Sequence, residues 1–117
     1  MTQKQMDAIK ATLPRFNEPW TDEQKRLDSE LWCREMINSC LVYHGERFGR
    51  NAFFGERTGY SNPHSYAHQY IKELGAERVN EIFEEQLADF RNAVVFHCVF
   101  TDDEGLTYNS IKWADEQ

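Results

Sequence analysis

The sequence predicts an α+β fold, a small domain of about four helices followed by a C-terminal antiparallel β-hairpin. Apolar residues recur at helical spacing over most of the chain up to Asn92, glycines and prolines separate these stretches, and a β-branched, aromatic run follows. Of the 117 residues, 40% are hydrophobic and 14% aromatic, which is enough for one core. We therefore expect residues 1–117 to form a single domain.

Two helices are predicted in the first part of the chain. The first lies between Thr2 and Leu13 and must stop near Pro14, because the residue before a proline avoids the helical region. The second should begin after Thr21, since Thr21 and Gln24 have the spacing of a capping box. Its apolar residues spread around most of the helical circumference, which indicates a central helix contacted from several sides.

The segment 45–62 is predicted to be irregular, because its four glycines would weaken a continuous helix or strand. It also mixes arginines with aromatic rings, a composition that suits a binding loop. These residues are Arg47, Arg50 and Arg57, alternating with Phe48, Phe53, Phe54 and Tyr60. An ordinary loop with its rings turned inward is the alternative, and it is the interpretation that we favour.

Two more helices and a hairpin complete the predicted fold. Pro63 marks the start of the third helix, and Gly75 separates it from the fourth, which runs from about Ala76 to Asn92. Residues 94–100 and 106–113 are expected to pair as antiparallel strands around a turn at 102–105. Because a two-stranded ribbon is marginal alone, its free edge makes a homodimer one expectation.

Charge and cysteine content restrict the classes of function. The chain has 20 acidic and 13 basic residues and a net charge of −7, which disfavours nucleic acid as a partner. No signal-peptide pattern opens the sequence and no apolar stretch is long enough for a membrane span, so we expect a cytoplasmic protein without membrane association. The odd count of three cysteines favours free thiols.

The sequence carries no catalytic signature. His64 and His68 have the i, i+4 spacing that suits zinc, but Ser65 stands where the metalloprotease motif has glutamate. A small metal-dependent enzyme that uses these histidines is therefore an alternative, whereas two ordinary surface histidines are the interpretation we prefer. The glycines match no phosphate-binding pattern. We predict no enzyme activity, no metal and no cofactor.

The most distinctive surface is a stripe of acids on the fourth helix, which we call the acidic stripe. Its members are Glu77, Glu81, Glu84, Glu85 and Asp89, with Asp102, Asp103 and Glu104 as an extension at the hairpin turn. Such a stripe can imitate nucleic-acid phosphates and occupy a basic groove on another protein. The predicted function is a non-enzymatic inhibitor or adaptor that docks on a basic, nucleic-acid-binding surface of a partner protein. By analogy of type, such domains include the anti-defence proteins of mobile elements.

Affinity in this interpretation comes from aromatic anchors, for which the candidates are Phe53, Phe54, Tyr60 and Trp113. A winged-helix-like nucleic-acid-binding domain is the remaining alternative, because the order of helices followed by a hairpin is similar. It would use the loop arginines Arg47, Arg50 and Arg57. The acids on its would-be recognition helix count against it.

Overall fold

The structure is a computed structural model that describes residues 1–14, 19–55, 65–96 and 110–112. Its elements in chain order are the helices α1 (Gln3–Lys10), α2 (Asp22–Phe54), α3 (Tyr66–Leu74) and α4 (Ala76–Arg91), then the strands β1 (Val94–Phe96) and β2 (Ser110–Lys112). When the two strands are left out, 82% of the described residues are helical.

The predicted α+β class is wrong, and the fold is α-helical. Both hydrophobic clusters of the described residues are built from the helices and the segments beside α1 and α2. Val94 pairs with Lys112 and Phe96 with Ser110 in an antiparallel register, and within the described residues the strands are two segments of three residues each. The β-rich composition after α4 therefore does not determine the class. The rest of the predicted hairpin lies outside the described residues.

Capping boxes begin the first two helices. The Thr21 hydroxyl accepts a hydrogen bond from the Gln24 backbone N–H at 3.1 Å, and the Gln24 side chain accepts one from the Thr21 N–H at 2.9 Å. The predicted start of α2 is thus confirmed. Thr2 and Gln5 make the same reciprocal pair at the start of α1. Each box satisfies backbone donors that a helix start leaves unpaired.

The chain reverses direction within α2, at Gly45. Gly45 has φ 75° and ψ 176°, a conformation that glycine adopts readily, and helix resumes after it as far as Phe54. The predicted irregular segment is therefore wrong for residues 46–54, which are helical. The glycines mislead because they weaken a helix on average, whereas here Gly45 provides a single break between two helical segments. Residues 56–62 lie outside the described residues.

Gly49 lets the two halves of α2 pack closely. A Cβ atom at Gly49 would lie 3.2 Å from the Leu41 Cα and 3.3 Å from the Cys40 carbonyl oxygen. In a straight helix, residues eight apart are separated by about 12 Å along the axis. This close approach shows that the segment after Gly45 folds back onto the segment before it.

The main core lies where α2, α3 and α4 meet. It is centred on a group of aromatic rings, with Phe53 5.9 Å from Phe83 and 6.3 Å from Tyr70 between ring centroids. Its buried members are Cys33, Ile37, Cys40, Leu41, Phe53, Phe54, Ala67, Tyr70, Leu74, Val79, Ile82, Phe83 and Leu87. A smaller cluster of Met6, Leu13 and Leu31 fixes α1 to α2. The helices thus hold α4 against α2 with Glu77, Glu81 and Glu84 of its acidic stripe exposed.

Candidate interaction surfaces

The acidic stripe is only partly a free surface. Glu77, Glu81, Glu84 and Glu85 are exposed, whereas Asp89 is half-buried and accepts a hydrogen bond from the Met1 amino group. The four glutamates, together with Asn80, line an open depression of about 580 Å³ on α4. The helix therefore brings four of its five predicted acids together along one shallow, open surface.

Glu85 belongs to the packing of α4 on α2. Its carboxylate accepts a hydrogen bond from the Arg34 guanidinium at 2.6 Å and lies 3.5 Å from that of Arg78. Arg78 in turn donates to Glu30 at 2.8 Å and to Glu81 at 3.1 Å. Burial alone would raise the pKa of Glu85, but the hydrogen bond and charge of Arg34, together with the charge of Arg78, lower it below its usual value.

A buried polar cluster continues this contact inward. Arg34, Asn38 and Gln86 are all buried. The Gln86 side-chain oxygen accepts from Arg34 at 2.9 Å, and its nitrogen donates to Asn38 at 2.8 Å and to the Met1 carbonyl at 2.9 Å. Burying a guanidinium is tolerated when its hydrogen bonds are satisfied, and Glu85 and Gln86 satisfy two of them. Arg34 and its partners Glu85 and Gln86 therefore belong to the interface between α2 and α4.

Glu84 forms an ion pair with Arg50, a residue that the sequence placed in a binding loop. The Arg50 guanidinium also lies 4.4 Å from the centroid of the Phe83 ring. Arg47 is exposed and lies over the Phe48 ring at 5.4 Å. Both arginines are on the helical segment after Gly45, and Arg50 contacts Glu84 and Phe83 of α4. Arg47 and Arg50 therefore lie on a helix and not in an irregular loop. Arg57 lies outside the described residues, and the alternative binding role of the three arginines stays a prediction.

Two of the predicted anchors are core residues. Phe53 and Phe54 are 0% and 3% exposed, so they contact other parts of this chain and offer no surface to a partner. Their prediction as anchors is wrong because the reversal at Gly45 turns this segment inward against α4. Tyr60, Trp113 and the three acids 102–104 lie outside the described residues, so their roles stay predictions.

In the part of the chain that the structure describes, little supports a metal site or a reactive cysteine. Within it, no group of three or more histidine, cysteine, aspartate or glutamate side chains could hold a metal ion. His68 is half-buried on α3, and His64 is outside the described residues. Burial raises the pKa of the Cys33 thiol to about 12 and that of Cys40 to about 11, so both are protonated at neutral pH.

Exposed aromatic rings form a surface that the sequence interpretation missed. Trp32 is 53% exposed and Tyr43 70% exposed, and eleven residues bring a helix back to nearly the same side. Beside Trp32, a second depression of about 310 Å³ lies between α2 and α3, lined by Asp28, Ser29, Trp32, Gln69, Tyr70 and Glu73. The spread of apolar residues around α2 was the available signal, but it does not say which ring stays uncovered.

Comparison with protein-family models, curated proteins and solved structures found no match to this chain. None of the helices in the described ranges combines the length and apolar content needed to cross a bilayer. Any function must therefore be argued from the surfaces themselves.

Proposed function

We propose that this protein is a non-enzymatic interaction protein, an adaptor or inhibitor, that binds a basic surface of a partner protein through the outer face of α4. The observation that carries the proposal is the depression of about 580 Å³ lined by four glutamates and Asn80. A concave surface with several carboxylates suits the cationic side chains that a nucleic-acid-binding protein presents to phosphates.

We assign some acids of α4 to partner binding and one to the stability of the fold. Glu77, Glu81 and Glu84 are exposed, and the ion pairs that Glu81 and Glu84 make with Arg78 and Arg50 are of the kind that contributes about 0–1 kcal/mol. An incoming cation can share or replace such pairs at small cost. Glu85 is bound to the buried Arg34, so we assign it to stability and omit it from the contact surface.

The proposal includes a cytoplasmic location, which the free, buried thiols of Cys33 and Cys40 favour. A homodimer through the hairpin edge remains a separate prediction, to be checked by light scattering over a range of protein concentrations. No described contact favours the metal-dependent or the nucleic-acid-binding alternative over the interaction function.

The test is a triple substitution that removes charge from the α4 face without touching Glu85: Glu77→Gln, Glu81→Gln and Glu84→Gln. A partner captured from native lysate with the unaltered protein is identified, purified and titrated by calorimetry at several salt concentrations. We expect weaker binding by the triple variant and a smaller dependence of affinity on salt, because fewer charges face the partner.

The matched control makes the same change in net charge elsewhere. Asp7, Asp22 and Glu23 are exposed on α1 and at the start of α2, so Asp7→Asn, Asp22→Asn and Glu23→Gln remove three charges away from α4. Equal losses in the two triple variants would show that only net charge matters. Undiminished affinity in the α4 variant, with its helix content unchanged by circular dichroism, would refute the α4 face as the contact surface.

A further inference from the structure

Trp32 presents half of its surface to solvent although it lies in the middle of the longest helix. Its ring borders the depression between α2 and α3, whose other lining residues are Asp28, Ser29, Gln69, Tyr70 and Glu73. Monomeric proteins expose single apolar rings without consequence, but an exposed tryptophan beside a concave polar surface is typical of a contact site. Ser29 donates a hydrogen bond to Glu73 across the depression and so links α2 to α3 there.

The charges around the ring are mainly negative. Asp28 and Glu73 line the depression, and Glu35 lies near Asp28. Burial raises the pKa of Asp28, Lys10 lowers it, and the charges of Glu35 and Glu73 raise it further. One ammonium among three carboxylates leaves negative charge in excess. A second cation would relieve that repulsion.

The chain itself shows which chemistry this ring accepts. The Lys10 ammonium lies 5.3 Å from the centroid of the Trp32 ring and forms an ion pair with Glu35. It thus combines a cation–π contact with a carboxylate, the arrangement that attracts lysine and arginine to tryptophan. The depression on the α3 side offers the same combination, in Trp32 with Asp28 and Glu73, to a group from outside.

We propose that the depression beside Trp32 binds a lysine or arginine side chain from a basic segment of a partner protein. The ring supplies the flat contact, and Asp28 and Glu73 supply the compensating charge. Tyr43, three helical turns further along the same side of α2, extends the contact for the neighbouring residues of the segment. This site shares no residue with the α4 face, so either proposal can be wrong without affecting the other.

The test uses a defined probe, an acetylated and amidated peptide of three Gly-Lys repeats, titrated into ¹⁵N-labelled protein. The indole N–H signal of Trp32 is assigned by its loss in a Trp32→Phe variant. We expect a saturable shift of this signal that weakens with added salt. The same peptide with acetylated lysines keeps the length but loses the charge, and it should produce no such shift.

Three variants sharpen the result. Trp32→Ala should weaken peptide binding by about two- to thirtyfold, the range between an exposed and a desolvated cation–π contact. The shifts of the α2 and α3 backbone amides measure this loss. Asp28→Asn with Glu73→Gln should also weaken it. Lys10→Gln should strengthen it, because an internal competitor for the ring is removed.

Phe48→Ala is the matched control, since Phe48 is an exposed ring with Arg47 above it but does not line the depression. It should leave binding unchanged. Unsaturable shifts in the unaltered protein, equal binding of the acetylated peptide, or full affinity in a folded Trp32→Ala variant would each overturn the proposal. A larger loss of affinity in the α4 triple variant than in the charge-matched variant at Asp7, Asp22 and Glu23 would show that the peptide binds at the α4 face, and would also overturn the proposal.

Discussion

The two sides of α2 each carry residues that depart from the usual distribution of polar and apolar side chains. The side toward α4 carries Arg34 and Asn38, which are buried and hydrogen-bonded to α4, next to Ile37 and Leu41. Trp32 lies about 200° from Arg34 around the helix and is 53% exposed. Hydrophobicity alone would place the tryptophan inside and the arginine outside.

This difference separates residues that stabilise the fold from residues that contribute little to its stability. A buried arginine is stable only where a matching set of acceptors exists, and Glu85 and Gln86 of α4 are that set. An exposed tryptophan contributes little to the packing of its own chain. The polar residues on the inward side of α2 are therefore explained by stability, whereas the exposed ring of Trp32 is the residue for which we propose binding.

Phe83→Ala should cause the largest loss of stability. The ring is fully buried against Phe53 and Phe54 on the inward side, and removing such a ring costs about 3–5 kcal/mol. Phe48→Ala, an exposed ring of the same type, should change the free energy of unfolding by much less. Urea denaturation of both variants measures the difference, and similar losses would contradict the assigned core.

Gly49→Ala should be the next most damaging. The added methyl would lie 3.0 Å from the Leu41 Cδ2 and 3.2 Å from its Cα, so the returning segment of α2 must move away from the inward side. Overpacking of this kind costs about 1–3 kcal/mol, although alanine is the better helix former. Thermal unfolding checks this. A stabilised variant would show that the two halves of α2 are not in close contact.

Glu85→Lys should destabilise more than Glu84→Lys, although the two glutamates are adjacent. Lysine at position 85 faces the buried Arg34 and the nearby Arg78, and we expect a loss of about 1–2 kcal/mol because Glu85 is itself about half exposed. At position 84 only the exposed pair with Arg50 is lost, within about 1 kcal/mol. Equal losses would mean that Glu85 is as peripheral as Glu84.

The contribution of Glu85 should also depend on pH. Its pKa is lower in the folded protein than the usual 4.5, so the stabilisation is present above that pH and is lost as the pH falls through the lower folded pKa. The difference in stability between the unaltered protein and Glu85→Gln should therefore shrink as the pH is lowered from 7 to below 4. A difference that stays constant would exclude this linkage.

Trp32→Ala should have the smallest effect on stability, within about 1 kcal/mol, because the ring is half exposed and its contact with Lys10 lies at the surface. If the free energy of unfolding changes this little, the stability of the fold does not explain why position 32 is a tryptophan. Calorimetric unfolding measures the effect. A loss as large as that of Phe83→Ala would place Trp32 in the core and remove the contrast between the two sides of α2.

Local signals were reliable where they depend on neighbours in sequence. The Thr21 capping box, the break at Gly45 and the amphipathic α4 were predicted, and the structure has each of them. The segment after Gly45 was not, because a glycine needed for a positive φ and one needed for close packing look alike in sequence. Whether Phe53 and Phe54 turn inward depends on α4, which lies about 30 residues further along the chain.

The sequence by itself determined where α1, α2 and α4 begin, which side of α4 carries the acids, and that no catalytic motif is present. It did not determine the start of α3, which was expected at Pro63 and lies at Tyr66. Tertiary structure alone decided that α2 folds back on itself, that Glu85 serves the fold while Glu77 faces outward, and that Trp32 stays uncovered beside Asp28 and Glu73. The physical reason is that capping and periodicity act within a few residues. Burial and ion pairing instead depend on which distant helices come together.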